Sequence, residues 1–449
     1  MLLGLLACAS VLAQASAALP PAVTVFVAVN VVPMDSDRVL RRQTVVVENG
    51  KIRAIGPAVT VPANARVIDG HGTAFVVPGL ADMHTHSYTA EDMKVYLANG
   101  VTTLLNMGDA SNGFAARLKP AINEGKKPGP HIYASFVVDG SPQYGHFSVR
   151  TPDEARSLVR LAKANGYEFI KVYNNLSPEC FQALVDEARL QQLGIVGHGV
   201  SSVGLERQLD AGQIMVAHTE EFLYTVFAKP DDEPTDHAPS PTQFPQAIAM
   251  VKRNNAFVTA DLNTYATIAR QWGKPDVVSE FFRLPEVPYL SPDDRMSWRG
   301  EGYTTRKGSL TEKVEFLERF TKALSDAGVP LIVGTDAPGI PGLVPGYSLH
   351  ADLRALEQAG LTRYQVLSAA TRAAGELIRR SVPGADSFGT ILPGSRADLI
   401  LCAENPLDDL SVLRKPLGVM ANGTWYSDAD LQALLDSVKS KYAQALAIP

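Results

Sequence analysis

VPGLADMHTHS, residues 77–87, and VPLIVGTDAP, residues 329–338, are the two stretches that decide the fold. Each is a short apolar run that ends in polar side chains able to bind a cation: His84 and His86 in the first, Asp336 in the second. Between them lie six more runs of the same texture: VTTLLNMGD (101–109), HIYASFVV (131–138), EFIKVYNN (168–175), GIVGHG (194–199), QIMVAHTE (213–220) and AFVTADL (256–262). Amphipathic segments separate them, such as TPDEARSLVRLAKANG (151–166) and SPECFQALVDEARLQQLG (177–194). Thr151-Pro152 and Ser177-Pro178 each place a capping hydroxyl before a proline, a pairing that starts helices. Eight strand-then-helix units in series predict an α/β chain with a (β/α)8 TIM barrel over residues 78–383. In that fold the active-site residues sit at the C-terminal ends of the strands.

Outside the barrel the texture changes. Residues 18–77 and 384–430 carry short β-branched runs, among them TVFVAVNVV (24–32), QTVVVENGKIRAIG (43–56) and FGTILPGSRADLILCAENP (388–406). Asn49-Gly50 and Asn422-Gly423 are hairpin signals. The two ends are expected to pair into one small β-sandwich, with residues 431–449 as a C-terminal helix. Residues 262–310, rich in Pro, Trp, Tyr and Arg, interrupt the strand–helix rhythm as a long connection, the kind that serves as a lid, a binding loop or a disordered segment.

The first 17 residues, MLLGLLACASVLAQASA, read as a secretory signal peptide, although no Lys or Arg precedes the apolar run. A lipoprotein signal ending at Cys8 is the alternative. Export places the mature chain in the periplasm or outside the cell. Cys180 and Cys402 would remain, too few for a disulfide framework. A formal net charge of −6 gives no basic surface for nucleic acid, and no segment after the signal is long and apolar enough to hold the chain in a membrane. The partner expected is a small-molecule substrate, with self-association into a homo-oligomer left open.

The chemistry-bearing residues fall at the strand ends that the barrel prescribes. His84 and His86 are two apart on one strand, so their imidazoles share a face and can meet one divalent ion. His198 ends the fifth strand, His218 the sixth and Asp336 the eighth, while Lys171 lies in the fourth. Each has an ordinary reading as a hydrogen-bonded structural residue, or, for Lys171, as a lysine reaching from a strand end to solvent. It is their joint placement that points to a metal site. His146 in SPQYGHFSVR belongs to the loop after strand three, and Tyr224 follows His218 closely enough to offer a hydrogen bond to a developing oxyanion. Arg295 and Arg299 could clamp a substrate carboxylate or lie solvated in their loop. His71, His131, His237 and His350 fall outside the pattern and read as structural.

Pro-Gly-Leu-x-Asp-x-His-x-His at one end and Gly-Thr-Asp at the other resemble the amidohydrolase superfamily, nearest its imidazolonepropionase-like and Xaa-Pro dipeptidase-like branch. The resemblance covers nearly the whole mature chain. It implies that His84, His86, His198, His218 and Asp336 are metal ligands. It further implies that Lys171 is carboxylated by carbon dioxide and bridges two divalent ions. Zinc suits such a donor set, with manganese, cobalt and nickel as alternatives. Two ions about 3.5–4 Å apart would hold a bridging hydroxide, with Asp336 as general base and then acid. In dipeptidase-like relatives a histidine placed like His146 contacts substrate.

The function expected is therefore hydrolysis of an amide or peptide bond in a dipeptide or an N-acyl amino acid. A cyclic amide, ester or phosphotriester on the same site is the enzymatic alternative. A catalytically silent binding protein is the alternative of another class. Hydrolysis tests on a broad panel of substrates discriminate all three.

Overall fold

The computed structural model describes residues 23–108, 110–228, 236–300 and 302–446. The expected signal peptide lies outside the described residues. Among those residues no helix is long and apolar enough to cross a membrane.

All eight apolar runs are strands, and they hydrogen-bond in chain order as a parallel set. The barrel strands are Leu80–Thr85, Val101–Asn106, His131–Asp139, Phe169–Val172, Gly194–Gly197, Gln213–Val216, Phe257–Thr259 and Leu331–Ile332. The first and last close on each other through Met83 N to Val333 O at 2.9 Å, Thr335 N to His84 O at 3.0 Å and His86 N to Ala337 O at 2.8 Å. One hydrophobic cluster draws a buried residue from every strand, from Met83 on the first to Ile332 on the eighth. A cluster with a member on each of eight closed strands must fill the interior, so the barrel is packed and its chemistry is confined to the rim.

The two chain ends meet as expected. Phe75–Pro78 runs antiparallel to Leu399–Cys402, with Val77 opposite Ile400, and joins amino-terminal and carboxy-terminal strands in one eight-stranded sheet. Phe26, Val47, Ile52, Leu399 and Met420, drawn from both ends, share its core. Asn49-Gly50 and Asn422-Gly423 make the hairpins. All four residues have positive φ, near +50° at Asn and +75° at Gly, the two-residue turn whose twist matches that of the strands. Cys180 and Cys402 are free and buried.

Residues 262–310 differ from the long irregular connection expected. They form the helices Leu262–Gln271, Pro275–Phe281 and Pro292–Gly300 with short 3-10 turns between them. Trp298, 1% exposed, packs with Phe281, Val287 and Leu290, and its indole N–H donates to Pro338 O at 2.9 Å. Helices of 7 to 10 residues are marginal on propensity alone, so burial of these large side chains holds them. The final helix, Asp428–Leu446, lies against Ala90–Ala98 through Val438 and Val95.

Candidate active site

His84 leaves the first strand fully buried, with Nε2 3.3 Å from Asp336 Oδ1. His86, two residues on, brings its Nε2 to 3.0 Å from the same oxygen. Asp336 can reach them because Gly334 lets the eighth strand pass close to the first. A Cβ on Gly334 would stand 2.5 Å from that of His84. Asp336 and His218 both hold left-handed backbone, φ +59° and +71°, a conformation that costs non-glycine residues of order 1–3 kcal/mol and collects at functional sites.

Lys171, 2% exposed, points its Nζ to 3.2 Å from His84 Nε2. The His218 ring lies 4.3 Å from that of His84, and the His198 ring 5.1 Å from His218. Six side chains from the first, fourth, fifth, sixth and eighth strand ends thus converge at the C-terminal mouth of the barrel.

Two residues singled out by no sequence argument hold the histidines in place. Glu221 Oε1 lies 2.7 Å from His198 Nδ1, while its second oxygen accepts the Gly199 amide at 2.8 Å. Asp261 bonds His218 Nδ1. Each carboxylate occupies one ring nitrogen and leaves Nε2 for the centre, the arrangement that orients metal-bound histidines. Asp261 ends the seventh strand, so the strand-end rule itself could have found it. Tyr173 was also missed. It stands two residues after Lys171, and its ring lies 4.2 Å from His198.

Electrostatics separate the roles. Burial, helped by Lys171, pushes His84 well below its ordinary value, and burial brings His198 down to about 4. Both are neutral near pH 7, with lone pairs free to donate. Burial alone would raise Asp336, but His86, His84 and His218 hold its carboxyl well below the usual range. Burial opposes protonation of His218, while the adjacent Asp261 favours it and lifts it to about 10 in the absence of a cation; a cation held at Nε2 would take the place of that proton.

The remaining candidates are placed as follows. His146 lies in the loop after strand three, its ring 4.7 Å from that of Tyr173. Tyr224 stands on the rim, 56% exposed, with its hydroxyl engaged by Tyr265 and beside Glu220. Arg295 donates to Val287 O at 2.8 Å, and Arg299 stacks over Phe282, so both serve the insertion's own packing. His71 and His237 are exposed beside Asp69 and Glu312. His131 bonds Asn422, and His350 bonds Asn99 O.

The donors fit a divalent cation. His84, His218 and Asp336 each present a ligand atom, all within 4.8 Å of one another. His84 Nδ1 is buried with no hydrogen-bond partner among the described residues, so its ring is held by packing and by what Nε2 meets. Imidazoles with one carboxylate are the donors that zinc-class metals take.

Comparison with known proteins agrees with the geometry. The model of the amidohydrolase family matches residues 75–426. Ochratoxinase from Aspergillus niger is 23% identical over 464 aligned residues, covering 88% of this chain and 84% of that protein. Among solved structures, bottromycin amidohydrolase superposes with a TM-score of 0.73 at 23% identity, covering 94% of this chain and 91% of the other. A putative prolidase from Bifidobacterium longum does so at 0.68 and 24%, covering 94% and 100%.

Proposed function

Because the chain belongs to the amidohydrolase family, hydrolases acting on amide and peptide bonds, we propose that it cleaves the amide of a dipeptide or an N-acyl amino acid with two divalent cations, zinc by preference. The observation that carries this reading is the meeting of His84, His86 and Asp336 within 3.3 Å, with Lys171, His198 and His218 beside them.

His84, His86, His198, His218 and Asp336 would hold the cations. Lys171 would join them after its amine adds to carbon dioxide, forming an N–C bond and losing one proton to leave an anionic carbamate. When bound, such a pair of cations polarises a carbonyl and acidifies a water. The chain's own residues do the rest. Asp336, ionised and at the mouth, accepts a proton from the attacking water and returns it to the leaving amine. Glu221 and Asp261 fix the ring orientation of His198 and His218. His146, 4.7 Å from the Tyr173 ring, would contact the substrate.

The test is turnover of a panel of dipeptides, N-acyl amino acids, cyclic amides and phosphotriesters by purified protein. Hydrolysis of the first two, lost on chelation, restored by Zn2+ and absent in Lys171→Met, is the expected outcome. A carbamate carbon in 13C NMR of protein loaded under labelled bicarbonate should accompany it. Amide turnover that survives complete metal removal overturns the reading.

A further inference from the structure

We propose that the substrate of this site carries a flat aromatic group, and that Tyr144, His146 and Tyr173 form the wall on which it stacks; this rests on the amide-hydrolase reading above. Tyr173 follows Lys171 by two residues, and the spacing puts both side chains on one face of the strand. Its ring lies 6.0 Å from Lys171 Nζ and 4.2 Å from the ring of His198, so it borders the reacting centre directly. Tyr144 and His146 come from the loop after the third strand. Their ring centroids stand 5.0 and 4.7 Å from Tyr173 and 6.3 Å from each other. Aromatic pairs prefer such separations, and a stack that is still open takes another ring at little ordering cost.

The stack is open on the solvent side. Tyr144 is 51% exposed, and Phe147, stacked on Phe136, is 63% exposed. Tyr144 therefore offers a ring edge to solvent next to Tyr173, within reach of a molecule held at the centre. Of the three wall residues, His146 also borders a cavity of about 240 Å³, whose lining includes Phe136, Phe147 and Tyr167. That volume admits a ring larger than phenyl. The arginines that could have selected a carboxylate, Arg295 and Arg299, are committed to the insertion.

The test compares N-(2-naphthoyl)glycine with N-acetylglycine on the zinc-loaded enzyme, alongside fluorescence titration of 2-naphthamide. The naphthoyl substrate should be favoured at least about ten-fold in kcat/KM, chiefly through KM. Tyr144→Leu, which keeps an apolar side chain but removes the ring, should raise KM for the naphthoyl substrate about 5- to 10-fold more than for the acetyl one, the worth of one stacked pair. Tyr144→Trp should retain the preference. Equal turnover of both substrates, or a preference untouched by Tyr144→Leu, overturns the wall and leaves the amide-hydrolase reading standing. Turnover of neither amide overturns that reading instead. Naphthamide binding then decides the wall alone: Tyr144-dependent binding upholds it, and Tyr144-independent or absent binding ends it.

Discussion

A methyl group on Gly334 would stand 2.5 Å from His84 Cβ and 2.7 Å from Thr259 Cγ2, both in the wall of the barrel. Neither neighbour can give way, because His84 and Thr259 are fully buried and the strands that carry them are hydrogen-bonded on both sides. Gly334→Ala must therefore push His84 or Asp336 out of register. Overpacking of this kind costs about 1–3 kcal/mol of stability, and an ångström of displacement at a reacting centre can cost about 100-fold in rate. The variant is expected to fold, to hold less metal by elemental analysis, and to lose at least ten-fold in kcat/KM. Full metal content with wild-type turnover would show that the approach of the two strands is not what sets the site. His350 supports a separate expectation. Its Nε2 donates to Asn99 O at 2.9 Å, its buried Nδ1 has no partner among the described residues, and burial brings it down to about 4, so the folded protein holds it neutral. The unfolded chain, near 6.5, binds the extra proton first, so stability present above pH 6.5 drains away as pH falls toward 4. At pH 5 the loss is about 2 kcal/mol from this residue. Urea unfolding at pH 7.5 and 5.0 should show His350→Gln, though weaker at pH 7.5, losing that much less than wild type on acidification; an equal loss refutes it.

At the level of elements, the strands and their ends were readable because a parallel barrel demands eight short apolar runs and puts chemistry at one end of each. His198 and His218 could be found from that rule alone. Asp261 obeys it too, at the end of AFVTADL, but an aspartate after a short strand looks like any helix or turn start until a histidine is seen against it. Glu221 has no strand-end signal, because its role depends on His198, 23 residues away, turning its Nδ1 toward it. Residues 262–310 read as a long connection because they are rich in Pro, Trp, Tyr and Arg and break the strand–helix rhythm; Pro275 and Pro292 are among those prolines. In the fold they are first-turn residues of helices whose stability comes from Trp298 and its neighbours. Carboxylates behind metal-bound histidines are worth about 10- to 100-fold in metal affinity. Asp261→Ala and Glu221→Ala should each weaken zinc binding by that amount in competition with a chelator, with folding preserved by circular dichroism. Unchanged zinc affinity in both variants would reduce the two carboxylates to packing.

At the scale of the whole molecule, the end-derived sheet meets the barrel through a shared apolar cluster, Val77 and Ile400 of the sheet with Leu80 and Val101 of the barrel, and a buried ion pair crosses the same joint. Arg396 Nε donates to Asp398 Oδ2 at 2.6 Å, and Arg396 Nη2 donates to Thr103 Oγ1, on the second barrel strand, at 2.6 Å. Asp398 Oδ1 accepts the Asn422 amide at 2.9 Å, its carbonyl accepts the Gly79 amide at 2.9 Å, and the guanidinium lies 4.7 Å from the centre of the Phe388 ring. Both charged residues are under 5% exposed. Such a pair adds little net stability over a well-packed apolar pair, because desolvation of two ions offsets their attraction. Removing one partner, however, strands the other charge at a cost of about 3–5 kcal/mol. Asp398→Ala should therefore destabilise the protein by that amount, while Arg396→Met combined with Asp398→Leu should cost clearly less than the single change. Because the pair spans the joint, the loss should appear as one shifted unfolding transition by both circular dichroism and tryptophan fluorescence, since Trp425 reports the sheet and Trp272 and Trp298 the barrel side. Two separated transitions in wild-type protein, or an Asp398→Ala variant within about 1 kcal/mol of it, would mean that the sheet and the barrel stand independently and that the ion pair does not couple them.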